Sequence, residues 1–420
     1  MNCYLVQHLK RISLPTETRQ KDPCAVIQTA PKVRPRKQLQ LSLQDERVKG
    51  WIWQLVVVGI AVAVVAWLWS NAIHNLSVRR IATGFAFLGR EAGMPITDTW
   101  LPYSPKDTYL WAFTVGLVNT LRVAVIGIVL ASVLGTAIGI ARLSANWLLS
   151  RLAAIYVETL RDIPLLLQLL FWYVLMQGLP GARAAWAPID GVFLSNRGLM
   201  LPWIQVGAAQ LWVLLALAVG VVALFIVRRW LVARQMQDGR RRHVWPFALL
   251  LVVILPALVS WSLGASWSVT KPELRGFNFV GGLTLAPEYF ALLIALVTYT
   301  SAFIAEIVRS GIQAVPRGQW DAALALGLRR SFVLQHIVLP QALRVIIPPM
   351  TSQYLNLTKN SSLAVAIGYQ DIVSVANTTL NQTGQAIESI ALIMLAFLTV
   401  SLGISLFMNW YNARIALVER

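Results

Sequence analysis

Charged residues are scarce in this sequence. Only 13% of its 420 residues are Asp, Glu, Lys or Arg, whereas 57% are hydrophobic, and soluble domains carry roughly 25% charged residues. A soluble protein of this length could not bury so much apolar surface. Several stretches have no charge at all and reach the ~20 residues needed to cross a ~30 Å hydrocarbon layer. They include residues 205–227, 245–267 and 389–408, so the composition predicts an integral membrane protein.

Three further absences exclude classes of activity. No Gly-Lys pair occurs, so the chain has no phosphate-binding loop of the form G-x-x-x-x-G-K-[ST], and any ATP that drives it must be bound by another polypeptide. The four His residues are scattered outside the predicted spans, so we expect no catalytic residues, no metal and no other cofactor on this chain, which is not expected to be an enzyme. Cys3 and Cys24 both precede the first span, which excludes a disulfide framework outside the cell.

Eight apolar runs are long enough to be spans, and the basic residues predict their orientation. With the N-terminus in the cytoplasm, the cytoplasmic segments hold 25 of the 36 Lys and Arg residues, which agrees with the enrichment of basic residues on the inside. Both termini are then cytoplasmic, and the net charge of +18 reflects topology and not nucleic-acid binding. The predicted spans are about 51–69, 113–141, 154–178, 204–227, 246–266, 288–308, 344–365 and 389–409.

The segments between the spans differ in character. The first 50 residues are polar and basic and lack the early apolar region of a secretory signal. Residues 1–50 are therefore expected to be a disordered cytoplasmic tail, and 51–70 an uncleaved transmembrane helix. The Gly- and Pro-rich stretch 179–203 is expected outside and without regular structure. The cytoplasmic segment 310–342 is too polar to span the membrane and too patterned to be a simple linker.

Within that segment, residues 316–340 predict two short helices on the cytoplasmic side. Strong helix formers fill 319–326, and Gly327 suits the left-handed position that ends a helix. A second helix is predicted over 332–338, and Pro340 is expected to stop it.

The first of these helices has the composition of a docking element. Trp320, Leu324 and Leu328 recur every four residues and are predicted to form an apolar ridge. The small side chains of Ala322 and Ala323 would let the helix sit deep in a groove of a partner protein. Such a helix could act as a rigid lever that transmits motion from a soluble partner into the spans.

The same segment resembles the EAA loop of ABC importer permeases, which docks the ATP-binding subunit. The match begins at Asp321-Ala322-Ala323, continues after three residues with Gly327, and ends after nine more with Ile337, Leu339 and Pro340. The family usually has Glu where this chain has Asp321, a change that keeps the carboxylate. The coupling residues that the resemblance implies are Gly318, Asp321, Ala322, Ala323, Gly327, Ile337, Leu339 and Pro340.

Neighbouring strings resemble permeases of the polar amino-acid import family. The match covers about 113–410 and implies an all-α type-1 permease core of five helices, extended by the N-terminal span and an inserted pair at about 204–266. This layout resembles the Q-type permease subunit of general L-amino-acid transporters. The strings are Asn119-Thr120-Leu121, Arg161-Asp162-Ile163-Pro164-Leu165-Leu166, Glu306-Ile-Val-Arg309, Gly311-Ile312-Gln313, Pro316-Arg317-Gly318-Gln319 and Asn356-Leu-Thr-Lys359-Asn360-Ser361-Ser362-Leu363.

This resemblance implies a function and a set of partners. The chain would be the permease subunit of an ATP-driven importer of L-amino acids, of broad range, in the bacterial inner membrane. Its implied partners are a dimer of ATP-binding subunits that holds ATP and Mg²⁺, a homologous sister permease, a periplasmic amino-acid-binding protein and membrane lipid. The identity of the amino acids, and whether the two permeases are identical, stay open at this point.

Polar residues inside the spans are candidates for the translocation path, because ionisable groups there line a water-filled path or pair with each other. Arg161 could line the path, pair with Glu158 three residues away, or reach the interface. A second group lies in the least apolar span, downstream of Pro348-Pro349, which is expected to disturb the helix. It could line the path or form a buried packing network; its members are Lys359, Asn360, Ser361 and Ser362.

Other polar residues have two interpretations each. Glu306 and Arg309 could form an ordinary i,i+3 ion pair or take part in coupling. Asn119 and Arg122 could contact the solute or the binding protein, or they could make ordinary, satisfied polar contacts at the membrane interface. Small residues recur every four positions along the second span and predict close helix packing; they are Gly127, Ala131, Gly135 and Gly139.

An ion-coupled secondary transporter of small polar solutes is the alternative function. Such proteins often contain internal repeats and intramembrane carboxylates. No repeat of fixed period occurs here, and the candidate carboxylates Glu158, Asp162 and Glu306 all lie toward the predicted cytoplasmic end.

Overall fold

The computed structural model describes residues 46–78, 83–205, 207–238 and 243–415. Most of the predicted disordered tail, residues 1–45, lies outside them. The chain divides into two compact units, Met1–Asn75 and Leu76–Arg420. The described part of the first unit belongs to a single helix, and all other elements belong to the second.

Helices dominate the described residues, as the composition predicts. Among these residues seven helices are long and apolar enough to cross a membrane, and a bent pair can form an eighth span. The helices are α1 Glu46–Val78, α2 Tyr109–Arg142, α3 Trp147–Asp162, α4 Leu165–Gln177, α5 Ala208–Asp238, α6 Trp245–Ala248, α7 Leu255–Ser262, α8 Pro287–Gln313, α9 Arg317–Ala325, α10 Arg330–Val333, α11 Leu339–Asn360, α12 Ile372–Thr383 and α13 Ala386–Ile415.

The predicted third span is broken. Instead of one helix over 154–178, α3 and α4 meet at an angle of 103°. Pro164 causes the break, because a proline pushes the preceding residue out of the helical region. Ile163 accordingly has φ −87° and ψ 126°. The prediction of one continuous helix over 154–178 is therefore wrong.

α8 is the central helix of the Leu76–Arg420 unit. Two thirds (67%) of its most apolar window is buried, whereas the corresponding window of α13 is 0% buried. α8 packs against α2, α3, α4 and α11. The small residues of α2 allow this contact: a methyl group on Gly135 would lie 2.7 Å from Ile304 Cβ, and one on Gly139 would lie 2.7 Å from the carbonyl oxygen of Ala305. The predicted close packing along this ladder is confirmed.

The stretch 179–203 is not irregular, which corrects the sequence prediction. It forms antiparallel strands that pair in the order β1-β2-β3-β8, so that β8 joins from the far side of the inserted helices. Asp190-Gly191 connects β1 to β2, and Asp-Gly is typical of two-residue hairpin turns. The sheet thus joins the chain before α5 to the chain after α7. The strands are β1 Trp186–Ile189, β2 Val192–Ser195, β3 Gly198–Leu201, β4 Trp203–Ile204, β5 Val269–Thr270, β6 Glu273–Arg275, β7 Asn278–Val280 and β8 Leu283–Leu285.

Candidate functional site

The candidate coupling segment follows α8 after a short turn. α9 begins at Arg317, after three residues that follow the end of α8, and covers most of the predicted first helix. Gly327 has φ +75°, the left-handed conformation predicted for it. Any residue with a Cβ, and a β-branched one above all, would be strained at this φ.

The predicted second short helix is wrong. α10 continues through a π-helical turn at Leu334–Val338 directly into α11, so the chain is helical from Arg330 to Asn360. Pro340 therefore does not stop a helix but lies in the first turn of α11. In a regular α-helix its ring would clash with the carbonyl group four residues earlier. The wider π turn just before it supplies the room that the ring needs.

The predicted apolar ridge of α9 faces inward. Trp320 and Leu328 are half-buried and pack against the main hydrophobic core, which contains Ala323 at 3% exposure. Leu324 lies at the border of exposure, and Leu326 is 80% exposed. The apolar spacing therefore fixes α9 to its own chain. Of the predicted coupling residues, Ala323 is buried and Ile337 and Pro340 are half-buried, whereas the others are exposed: Gly318, Asp321, Ala322, Gly327 and Leu339.

Four charged residues join the helices just before this segment, and we call them the Arg142 cluster: Arg142, Glu158, Glu306 and Arg309. Glu306 accepts hydrogen bonds from both Arg142 and Arg309, the latter through Nε at 3.1 Å. Arg142 also reaches Glu158 at 3.3 Å. The i,i+3 pair of Glu306 and Arg309 is confirmed, but Arg142 makes it a network across α2, α3 and α8.

Of the three interpretations of Arg161, the structure excludes the pair with Glu158. Glu158 pairs with Arg142, and the guanidinium of Arg161 instead lies 5.1 Å from the ring centre of Phe303. Within the described part of the chain, no carboxylate lies within salt-bridge distance of Arg161. Arg161 stands at the end of α3, beside the 103° bend, and is exposed.

The other path candidates lie where α11 tightens. The helix passes through Pro348 and Pro349 without a break and becomes a 3-10 helix at Ser361–Ile367, so the predicted irregularity is displaced toward its end. Ser361 is 1% exposed, and its hydroxyl donates to the carbonyl of Thr358 at 2.7 Å. Ser362 likewise donates to the carbonyl of Lys359 at 2.8 Å. Lys359 itself is exposed and Asn360 half-buried.

A second charged group lies at the Tyr109 end of α2, and we call it the Arg122 cluster: Asp98, Trp100, Asn119, Arg122, Tyr289 and Gln370. Arg122 is paired with Asp98 at 2.8 Å, and its side chain is 2% exposed. Its guanidinium lies 4.0 Å from the ring centre of Tyr289 and 4.8 Å from that of Trp100. Asn119 donates to the backbone carbonyls of Asp98 and Gln370 at 3.0 and 2.9 Å. Asn119 and Arg122 thus make the polar contacts of the second interpretation, but not all of their atoms are satisfied: Asn119 Oδ1, Arg122 Nε and Asp98 Oδ2 are buried without a hydrogen-bond partner among the described residues.

The segment before α12 closes over the Arg122 cluster. Gln370 accepts from the backbone N–H of Thr97 and donates to the carbonyl of Pro95, both at 2.7 Å. Asp371 caps α12 by accepting from the N–H of Ser374 at 2.8 Å and is 0% exposed. Burial raises the pKa of Asp371 to about 7. A polar cavity of about 140 Å³ lies between this segment and residues 94–96.

Comparisons with known proteins identify one matching family model and several similar proteins. The family model described as binding-protein-dependent transport system inner membrane component matches residues 124–417. YhdX of Escherichia coli, a candidate amino-acid ABC transporter permease protein, is 52% identical over 90% of this chain and 97% of its own length. The general L-amino acid transport system permease protein AapQ of Rhizobium johnstonii is 45% identical, over 90% of this chain and 95% of that protein. The glutamate/glutamine/aspartate/asparagine transport system permease protein BztB of Rhodobacter capsulatus is 40% identical, over 91% and 97%.

Proposed function

The chain belongs to the family of inner membrane components of binding-protein-dependent transport systems, and on this premise we propose that it is the permease subunit of an ATP-driven importer of L-amino acids of broad range. The observation that carries the proposal is the similarity, over almost the whole chain, to three proteins whose names describe amino-acid permeases. The sequence has no phosphate-binding loop, which supports the proposal that ATP and Mg²⁺ are bound by separate subunits.

The proposed topology places the Arg142 cluster and α9 at the cytoplasmic face of the bacterial inner membrane. The distribution of Lys and Arg supports this orientation, with both termini inside. The Arg122 cluster and the β-strands then face the periplasm, where an amino-acid-binding protein delivers substrate. The permease domain is proposed to cover about 113–410, with the inserted pair at about 204–266 and a homologous sister permease completing the pathway.

α9 is the proposed contact for a dimer of ATP-binding subunits. On its exposed side Gly318 and Ala322 carry little or no side chain, Asp321 adds a carboxylate, and Leu326 just after the helix is 80% exposed. Its inward surface is packed on the core through Trp320 and Ala323. A helix that is fixed on one side and open on the other can move the spans when a partner moves it.

Two basic residues of the proposed path can bind the carboxylate of an amino-acid substrate. Arg161 and Lys359 are exposed, and neither has a carboxylate partner among the described residues. Asn360 and Ser362 stand beside Lys359 and offer neutral polar atoms. Ser361 is buried and bonded within its own helix, so its proposed part is to shape the 3-10 turn that presents Lys359.

The test compares two substitutions at one position. Gly327→Val should abolish uptake of radiolabelled amino acids at normal membrane abundance, because a β-branched residue is strained at φ +75°. Gly327→Asn is the matched control and should retain most uptake, since Asn tolerates the left-handed conformation. Affinity capture of the wild-type complex should bring down an ATPase. Uptake that survives ATP depletion but stops when the proton gradient is dissipated would instead favour the ion-coupled transporter.

A further inference from the structure

A basic cavity lies between the inserted helix α5 and the final helix α13. It has a volume of about 410 Å³ and is lined by Phe225, Arg228, Arg229 and Val232 of α5 and by Arg414 of α13. These two helices are far apart in sequence, and α5 packs mainly against α6–α7 and not against the central helices. The cavity therefore lies where the inserted helices approach α13, and protein side chains do not fill the space between α5 and α13.

The cavity brings three positive charges together. Among the described residues, no Asp or Glu lies within salt-bridge distance of Arg228, Arg229 or Arg414. All three side chains are exposed. Like charges around one cavity repel each other, so an anion between them would relieve the repulsion. Guanidinium groups bind phosphate with paired, parallel hydrogen bonds, which suits them to that anion above others.

The position of the cavity along α5 points to the membrane surface. From Ala208 to Val227 the helix has no charged residue, and 20 residues at ~1.5 Å each span about 30 Å, the thickness of the hydrocarbon layer. Arg228 is the first residue beyond that length.

Tryptophans lie within one helical turn of the cavity residues on both helices. Trp230 of α5 lies under the guanidinium of Arg234 at 3.9 Å, and Trp410 of α13 lies under that of Arg414 at 4.3 Å. Trp230 and Trp410 are 49% and 52% exposed, as expected for tryptophans that sit among lipid headgroups. The cavity therefore opens at the depth at which phosphate groups of a bilayer lie.

We propose that this cavity binds the phosphate group of an acidic phospholipid, which holds the inserted pair against α13. The phosphate lies among Arg228, Arg229 and Arg414, and an acyl chain runs along the exposed ring of Phe225 one turn deeper. Basic pockets between transmembrane helices on the cytoplasmic side bind such headgroups in general. The inference holds for this chain whether or not amino acids are its cargo.

Native mass spectrometry of the full-length protein, released from detergent with added phosphatidylglycerol or phosphatidylcholine, tests the proposal. The wild type should retain phosphatidylglycerol in preference to phosphatidylcholine. Replacing Arg228, Arg229 or Arg414 by Gln should weaken retention about fivefold each, because each basic residue near an anionic membrane contributes to binding to about that extent. Arg234→Gln is the matched control: it removes a neighbouring arginine of α5 that does not line the cavity, and should leave retention unchanged.

A second measurement does not depend on any variant. Phosphatidylglycerol should raise the midpoint of thermal unfolding of the wild-type protein, and phosphatidylcholine should not. Equal retention of both lipids, or an equal loss in Arg234→Gln and Arg228→Gln, would overturn the proposal by reducing it to general surface charge. Displacement of the lipid by millimolar inorganic phosphate would also overturn it, because the site would then serve a soluble anion.

Discussion

α2 is held in opposite ways at its two ends. At the Tyr109 end, the Arg122 cluster buries a cation between two aromatic rings and pairs it with one carboxylate. At the other end, Arg142 shares Glu306 with Arg309 and touches Glu158, whose side chain is 67% exposed. Both ends contain an arginine and a carboxylate from another element, yet only one pair is removed from water.

This difference indicates which end of α2 can rearrange its charged contacts. A buried charge that loses its partner costs several kcal/mol, whereas an exposed ion pair contributes about 0–1 kcal/mol. The Arg122 cluster is therefore a fixed joint, because no alternative pairing is available to Arg122 at low cost. The Arg142 cluster can exchange partners cheaply, and it includes the last turns of α8, which lead along the chain to α9, the segment proposed to move. The fold thus places its rigid charge and its adjustable charge on one helix, about 20 residues apart.

Asp98→Ala is expected to have the largest effect on stability. It leaves Arg122, at 2% exposure, without its carboxylate, and breaking a buried pair in this way costs about 3–5 kcal/mol. Arg122→Met should cost less, because the side chain of Asp98 is 19% exposed and can be hydrated. Denaturant titration in detergent measures both free energies of unfolding. A loss below about 0.5 kcal/mol for Asp98→Ala would show that the pair is not a fixed joint.

Substitutions at two glycines of α2 distinguish a close contact with α8 from ordinary side-chain packing. A methyl group on Gly135 would lie 2.7 Å from Ile304 Cβ and 2.8 Å from the carbonyl of Ser301, so Gly135→Ala should cost about 1–3 kcal/mol by overpacking. A methyl group on Gly127 would meet the end of Leu357 at 3.2 Å, which can move aside. Gly127→Ala should be nearly neutral, since alanine also favours the helix by ~1 kcal/mol. Equal losses in the two variants would remove the distinction.

The sequence predicts the parts of this comparison that depend on spacing along one helix. The spans follow from uncharged runs, the Glu306–Arg309 pair from an interval of three, and the packing of Gly135 from an interval of four. The partner of Arg122 could not be predicted, because Asp98 lies in a loop whose path depends on contacts with α12. The partner of Glu158 could not be predicted for a related reason: spacing within α3 suggests Arg161 but says nothing about Arg142, which belongs to another helix.

Other differences arise from local chemistry that spacing does not describe. Pro340 should end a regular helix, and only the π turn before it allows the helix to continue. Pro164 carries a usable signal, since residues before proline leave the helical region, and it breaks the third span. Asp190-Gly191 also predicts a hairpin, but the strand partners in β8 lie beyond the inserted helices. The residues of the proposed path remain a prediction, because their exposure alone does not assign them to it.

Asp371, which lies close to the Arg122 cluster, is expected to make the stability of the protein depend on pH. Burial raises the pKa of Asp371 to about 7 in the folded protein, whereas an unfolded Asp has a pKa of about 3.9. The folded state therefore binds more protons between these values, and stability falls as pH rises. From pH 6 to pH 8 the free energy of unfolding should fall by about 1 kcal/mol. Asp371→Asn keeps the helix cap but should flatten this dependence, and a wild-type profile in that variant would contradict the assignment.

Arg142→Gln is expected to have the smallest effect on stability and sharpens the comparison most. Because the charges of this cluster are partly exposed and Glu306 keeps Arg309 as a partner, the free energy of unfolding should change by about 0–1 kcal/mol. Uptake should fall by a larger factor than stability accounts for, since the ion pairs that link the end of α2 to Glu306 of α8 and Glu158 of α3 are lost. Uptake per molecule and denaturant titration on the same preparation separate the two effects. A loss of stability as large as that of Asp98→Ala, with uptake falling only in proportion, would make the Arg142 cluster a second fixed joint and leave the coupling segment without an adjustable neighbour.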